Sequence, residues 1–536
     1  MDIAIAVQRL RCLPDAAARR PAAWYAGFAL YAAGVALFSG RGLDRWWGIW
    51  AAGGYAIAAA VAVFGGTHGT HGTHGSCGSR CTHGTHDICG SRRIRCTCRG
   101  QAAALAVAVA GALAAPLVWL ASREPVTPDA LVVARSGVLL LHHGSPYLQS
   151  AQLIRGGWLA YNPYLPVMAV FGLPKALGLP GLLADPRPWL AAATFLLLWA
   201  TFRISGISRI GRIPVTPLGL AALAISSPVM AFPLAEGITD PPVIALTCLA
   251  LALLIRFGGG WRPAVVLGVV CAMKYTAWPA LAVLIVMVAV RDGRRAVARF
   301  TATALGTAIA LTAALAPAAI VHPAAIVANT VAYPLGLTAA RSPAASPLPG
   351  HLLAALGPDG NAAAIALLLT AGAALVASLI TAPPRTPAAA ARRIALGLTA
   401  LFALSPATRF GYFCYPLALY GWVALAGYGA RGRQRGAQSP AEHGPSAELR
   451  PLAELDPLAG PSRSAELGPL AGPSRSAELG PLAGPSRSAE LGPLAEPDPS
   501  DEPSPLAEPD PSAEPSPLAE PSPSARVAHP TGVGVR

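Results

Sequence analysis

The feature that most constrains this 536-residue chain is a succession of apolar runs across 24–428. Several approach the ~20 residues needed to cross a bilayer, and most are bounded by arginines. Charged residues make up only 12% of the chain, against about 25% in soluble domains. The chain is therefore expected to be an all-α polytopic membrane protein. The formal net charge of +14 does not call for nucleic acid, because the arginines lie at the ends of apolar runs, where they report membrane orientation. There are only two lysines, Lys175 and Lys274, so a lysine inside an apolar stretch invites a functional reading. The first fifteen residues lack an apolar core of the length a cleavable signal needs.

The positive-inside rule then orders the runs. Arg9, Arg11, Arg19 and Arg20 put the N-terminus in the cytoplasm, and 1–64 reads as a tail followed by two spans. Residues 65–100 hold five of the nine cysteines and five of the eleven histidines. Their spacing does not meet the paired pattern of a zinc site, so this stretch reads as a low-complexity cytoplasmic loop with reduced cysteines and no metal. Residues 101–428 form the main transmembrane domain, and 429–536 is a Pro/Ser/Glu-rich tail, expected to be disordered and cytoplasmic, that repeats GPSRSAELGPLA. Twelve passes are expected in all. Two of the runs, 263–290 and 394–428, have arginines at both ends and so read as hairpins, with Lys274 and Arg409 near their tips.

One apolar stretch is ambiguous. Tyr164 to Leu179 has the hydropathy of a span, yet Pro166, Pro174, Lys175 and Pro180 interrupt it. A crossing there would put Arg203, Arg209 and Arg212 outside, so a juxtamembrane helix on the outer surface is the better assignment. The loop 122–188 is then extracytoplasmic, with Asp129 to His143 expected as a short helix.

This orientation gathers Asp129, His142, His143, Tyr147, Glu236, Asp240, Lys274 and Arg409 on or near one face. Each has an ordinary structural use: Asp129 suits a helix start, Arg409 an interfacial anchor. Their joint placement favours a site, because polar groups near a bilayer are costly and mark functional cavities. A carboxylate facing cations suits group transfer, with the carboxylate activating a hydroxyl and the cations holding a phosphate.

PDALVVARSGVLLLHHGSPYL followed by YNPYLPV resembles the first outer loop of the GT-C superfamily of membrane glycosyltransferases. It is most similar to glycosyltransferase family 87, the polyprenyl-phosphate-mannose-dependent mannosyltransferases of actinobacteria. The matching features are Asp129, the run Gly144-Ser145-Pro146-Tyr147, and Tyr161 to Pro166. MKYTAWPAL resembles the family's lysine-containing span, and SPATRFGYFCYPLAL a late Arg-aromatic-Pro segment. The resemblance covers about 101–428. It implies a GT-C-like helical bundle in the plasma membrane, with outer juxtamembrane helices. The implied activity is hexosyl transfer, with mannose the expected sugar, from a polyprenyl-phosphate sugar to a lipid or glycan acceptor, with no cofactor. Asp129 would be the catalytic base and Lys274 and Arg409 the donor-phosphate ligands. His142, His143, Tyr147, Glu236 and Asp240 are candidate acceptor or donor contacts. The alternative is a multi-pass transporter or flippase for a lipid-linked or anionic solute, in which the same charges line a path.

Overall fold

In the computed structural model, residues 21–64, 100–123, 127–210, 213–321 and 323–437 are described. The His/Cys-rich loop, apart from Gly100, and the repeat tail from residue 438 onward lie outside the described residues. Among the described residues the regular elements are helical apart from a two-residue antiparallel pairing of Arg209–Ile210 with Ile213–Pro214 and an isolated bridge between Ala345 and Thr408. The chain opens with α1 (Pro21–Phe38), α2 (Gly42–Phe64), α3 (Gly100–Ala121) and the 16-residue α4 (Pro128–His143). Then come α5 (Pro186–Ser205), the bent pair α6 (Pro217–Ile225) and α7 (Pro228–Glu236), α8 (Asp240–Phe257) and α9 (Trp261–Cys271). The last five are α10 (Trp278–Asp292), α11 (Arg294–Leu315), α12 (Pro358–Thr381), α13 (Pro387–Leu404) and α14 (Cys414–Ala437).

Among the described residues, nine helices are long and apolar enough to cross a membrane, or ten if α6 and α7, bent by 64°, count as one span. Of the twelve passes expected, two lack a helix that meets this measure. The 263–290 run breaks at Lys274, and its first arm, α9, has only 11 residues. At 1.5 Å per residue that is about 16 Å, well short of the ~30 Å hydrocarbon core. The other excess pass is α14, which is long enough but leaves the apolar pattern at its arginine-bearing end. Tyr164 to Leu179 forms no span. It is a 3-10 turn (Pro166–Gly172) followed by a four-residue helix (Leu173–Ala176), because its prolines withdraw the amide donors a long helix needs.

α8 is the centre of the bundle. Its window DPPVIALTCLALALLIRF is 83% buried, against 11% for α1 and α12, as expected for a helix apolar on every side. α5 and α9 pack directly on it, while α13 and α14 close the far side. The α1–α2 hairpin is fastened from the N-terminal side: the Trp47 indole donates to the Ala112 carbonyl at 2.9 Å, and the Tyr55 hydroxyl donates to the Ser226 carbonyl. Gly54 and Gly111 permit this approach, since a Cβ on either would lie within 2.6 Å of the other's Cα.

Candidate functional site

α4 begins at a sequence that cannot extend further back. Thr127 is in extended conformation as the N-cap, Pro128 takes the first turn, where its missing N–H costs nothing, and Asp129 follows. The helix ends at Gly144, whose φ of 61° a β-carbon would disfavour. Asp129 is thus at one end of α4, and His142 and His143 are exposed at the other, about 20 Å away along the axis. The histidines do not join the site.

The helix is held against the following loop by close backbone contact. A Cβ on Gly137 would lie 2.1 Å from the Gly172 carbonyl carbon, so only glycine permits α4 to rest on the Pro166–Gly172 turn. Asn162 is the organiser beneath. Its amide donates to Ser136 Oγ at 2.9 Å and to the Pro146 carbonyl at 3.1 Å, and its Oδ1 accepts from the Tyr164 amide at 3.0 Å. The Tyr147 hydroxyl donates to the Tyr164 carbonyl at 2.9 Å. Tyr147 is therefore a buried strut. Leu165 and Val167 donate to the carbonyls of Met273 and Ala272 at 2.9 and 3.1 Å, which ties the loop to the turn that carries Lys274.

Four charged side chains converge there from four elements. Asp129 and Asp240 both stand in the first turn of a helix after a threonine N-cap, where the macrodipole favours a carboxylate. Lys274 and Arg409 are both extended residues leading into a short 3-10 turn, Tyr275–Ala277 and Phe410–Phe413 respectively. Each turn runs into a helix with proline in its first turn. The parallel wording K-Y-T-A-W-P and R-F-G-Y-F-C-Y-P is the sequence trace of that repeated device.

The pairing differs from the simplest expectation. Arg409 donates through Nη1 to Asp129 Oδ2 at 3.1 Å, and the Tyr164 hydroxyl donates to Oδ1. Lys274 does not face Asp129 alone. Its ammonium donates to Asp240 Oδ1, which also accepts from the Tyr415 hydroxyl at 2.8 Å. It lies 5.2 Å from the Tyr164 ring centroid and 5.6 Å from that of Tyr412, a cation–π setting. Asp240 Oδ2 is buried without a hydrogen-bond partner. The cluster is electrically balanced, two cations against two carboxylates. Burial would raise the Asp129 carboxyl, but the Arg409 guanidinium, the Tyr164 hydroxyl and the Lys274 ammonium outweigh it and hold it below the usual carboxylate range. Burial acts oppositely on Arg409, where Asp129 wins and holds the guanidinium above its ordinary value.

Asp129, Lys274 and Arg409 face a cavity of about 470 Å³. Tyr161, Tyr164, Tyr333 and Tyr412 wall it, the first and third of these stacked at 4.5 Å between centroids and 8° between planes. The loop after α11 supplies one rim. It is clipped to the Arg409 segment by Thr408 donating to the Ala344 carbonyl at 2.9 Å and Ser346 donating to the Thr408 carbonyl at 3.0 Å. Tyr164, Tyr412 and Tyr415 were not among the sequence candidates. The aromatic-proline clusters YNPYLP and GYFCYP were the available signal.

Glu236 belongs to a different cluster. Its side chain is fully buried, with Arg41 Nη2 3.6 Å from Oε2. Arg41 Nε also lies 3.4 Å from Asp44 Oδ1, so one guanidinium serves two carboxyls. Glu236 and Arg187 sit on either side of Gly237, behind the first turn of α4, and the Thr127 hydroxyl donates to the Glu236 carbonyl.

No protein-family model, no curated protein and no solved structure matches this chain.

Proposed function

We propose that this chain is a membrane glycosyltransferase. It transfers a sugar, mannose in the first instance, from a polyprenyl-phosphate donor to a lipid or glycan acceptor at the outer face of the plasma membrane. The observation that carries the proposal is the Asp129–Arg409 pair, 280 residues apart in sequence and 3.1 Å apart at the wall of one aromatic cavity. Arg409 is the donor-phosphate ligand in this reading, because a guanidinium fork matches phosphate oxygens. Donor phosphate that draws Arg409 away leaves Asp129 Oδ2 free to accept a proton. The lost cation also makes Asp129 a stronger base at the moment it is needed. The acceptor oxygen attacks the anomeric carbon and the carbon–oxygen bond to phosphate breaks. The leaving polyprenyl phosphate keeps the electron pair, and the acceptor proton goes to Asp129. Lys274, committed to Asp240, acts as a positioning cation under Tyr164 and Tyr412.

A second reading, a carrier for a lipid-linked or anionic solute, is favoured by one feature, the 64° break between α6 and α7. Broken spans line the paths of many transporters. One assay separates the two. Purified protein in vesicles receives labelled polyprenyl-phosphate-mannose and membrane lipid acceptor. Label transferred by the wild type, and reduced at least about 100-fold in Asp129→Asn, supports transfer. Donor crossing the bilayer with no label on acceptor supports the carrier and ends the transferase reading.

A further inference from the structure

A second polar cavity lies between α13 and α14, toward the end of the bundle away from Asp129. It has a volume of about 310 Å³ and is lined by Ala389, Arg392, Arg393, Leu396 and Tyr420. Arg392 is some eighteen ångströms along α13 from Leu404, at the rise of an α-helix, and Arg409 follows beyond that helix end. Nothing in the transfer chemistry uses these residues.

The two arginines are differently disposed. Arg393 is fixed: its Nη1 donates to Ser378 Oγ, and its Nη2 donates to the Ala382 carbonyl at 3.1 Å. Arg392 is exposed and has no hydrogen bond or ion pair among the described residues. The neighbouring helix contributes Tyr420, 48% exposed, whose hydroxyl likewise has no partner there. Leu396 supplies an exposed apolar wall. A snorkelling arginine needs only a long stem and water. A braced guanidinium, a free guanidinium and a free phenol line one hollow, two donor-only cations and a hydroxyl that can donate, with no carboxylate among them. The hollow is many times the ~30 Å³ share of one water, and basic pockets between membrane helices accept anionic headgroups.

We propose that this cavity binds a phosphodiester, supplied by the headgroup of an anionic phospholipid. Arg392 and Arg393 hold the phosphate oxygens, Tyr420 donates to the same group, and the acyl chain follows the apolar surface past Leu396. The exposed apolar side chain of Leu396 adjoins the cations on a helix apolar enough to span a bilayer, so an amphipathic phosphate fits better than a free one.

Native mass spectrometry of the full-length protein, stripped of lipid and titrated with phosphatidylglycerol, phosphatidylcholine or inorganic phosphate, tests this. The expected result is preferential retention of one phosphatidylglycerol, at least about 5-fold over phosphatidylcholine. Arg392→Gln and Tyr420→Phe should each weaken it several-fold, whereas Arg385→Gln, exposed seven residues earlier, should not. If Arg392→Gln does not fold, Leu396→Trp, which fills the same hollow, should abolish retention. Equal retention of the two lipids overturns the proposal, as does equal loss in Arg385→Gln, which would indicate diffuse surface charge. Retention of inorganic phosphate without retention of lipid also overturns it.

Discussion

Two clusters of buried charge stand back to back across the first turn of α4, and they solve the same problem differently. In the cavity cluster, Asp129 has a donor for each oxygen, and Asp240 Oδ1 has two. In the cluster behind it, neither Glu236 oxygen has a hydrogen-bond partner. Nor do the three guanidinium nitrogens of Arg187, which is fully buried and whose closest carboxylate contact is 3.7 Å from Asp185. The first cluster adjoins the cavity of about 470 Å³, whereas the Glu236 and Arg187 side chains are fully buried. Well-made bonds facing a cavity can be exchanged for bonds to a ligand. Poorly made bonds in packed surroundings hold elements in register at a desolvation cost. The difference is consistent with the exchange of partners proposed for Asp129 and Arg409 and sets Glu236 apart from it.

The largest contrast is expected from neutralising one carboxylate in each cluster. Asp240→Asn leaves Lys274 buried beside a group that no longer compensates it, and loss of one partner of a buried pair costs about 3–5 kcal/mol. Glu236→Gln keeps the side chain's shape, relieves its crowding against the Asp44 carboxyl and loses only the long 3.6 Å contact to Arg41, so its effect on stability should be within about 1 kcal/mol and can be favourable. Thermal unfolding in a single detergent compares them directly. Equal destabilisation by the two would erase the distinction between the clusters. Gly137→Ala should fall between them, at about 1–3 kcal/mol, because the added methyl meets the Gly172 backbone and α4 must move with Asp129 on it.

The pH dependence sharpens the same point. Asp129 is held below its ordinary carboxylate value of about 3.9. Its pairing therefore contributes stability that is fully present above that value and is lost as pH falls through the lower folded value. The free enzyme should accordingly keep Asp129 ionised down to the acid edge of folding, which the acid limb of kcat/KM reads. Arg409→Met removes the leading cation and leaves the Tyr164 hydroxyl and the Lys274 ammonium alone to oppose burial. The acid limb of the residual kcat/KM should then move upward. An unmoved limb would mean that Arg409 does not set the ionisation of Asp129, and the exchange of partners proposed for catalysis would go with it.

The helical class, the start of α4 and the break at Lys274 were legible because each rests on local signals: apolar run length, a Pro-Asp helix start and a lysine inside an apolar run. The cap itself was misplaced by two residues, since Thr127 and not Asp129 is the N-cap. The four convergent charges were also legible, since a charge in an apolar setting is conspicuous. Their pairing was not. Whether Lys274 meets Asp129 or Asp240 depends on how α4 packs against the Pro166–Gly172 turn, and that is set by Gly137 and Gly172, two glycines with no distinguishing mark in sequence. The pass count failed for a related reason. A run of 28 apolar residues states total length but not where the chain breaks, and the first helix ended at Cys271, too early for that arm to cross.

The smallest effect is expected at the histidine pair, which composition and orientation had put with the cavity. His142 and His143 close α4 at its C-terminal end, where a cationic imidazole suits the macrodipole and the side chains are exposed. Replacing either by Ala should change stability by no more than about 0.5 kcal/mol, as surface substitutions generally do, and should leave transfer within about two-fold of wild type. The sharper measurement is the double replacement in the Arg409→Met background. Sites more than 7–10 Å apart with no shared partner combine additively, and the length of α4 separates the histidines from Asp129 by more than that. Non-additivity in transfer rate would mean that the far end of α4 is in contact with substrate, and the boundary of the site would then extend along the whole helix.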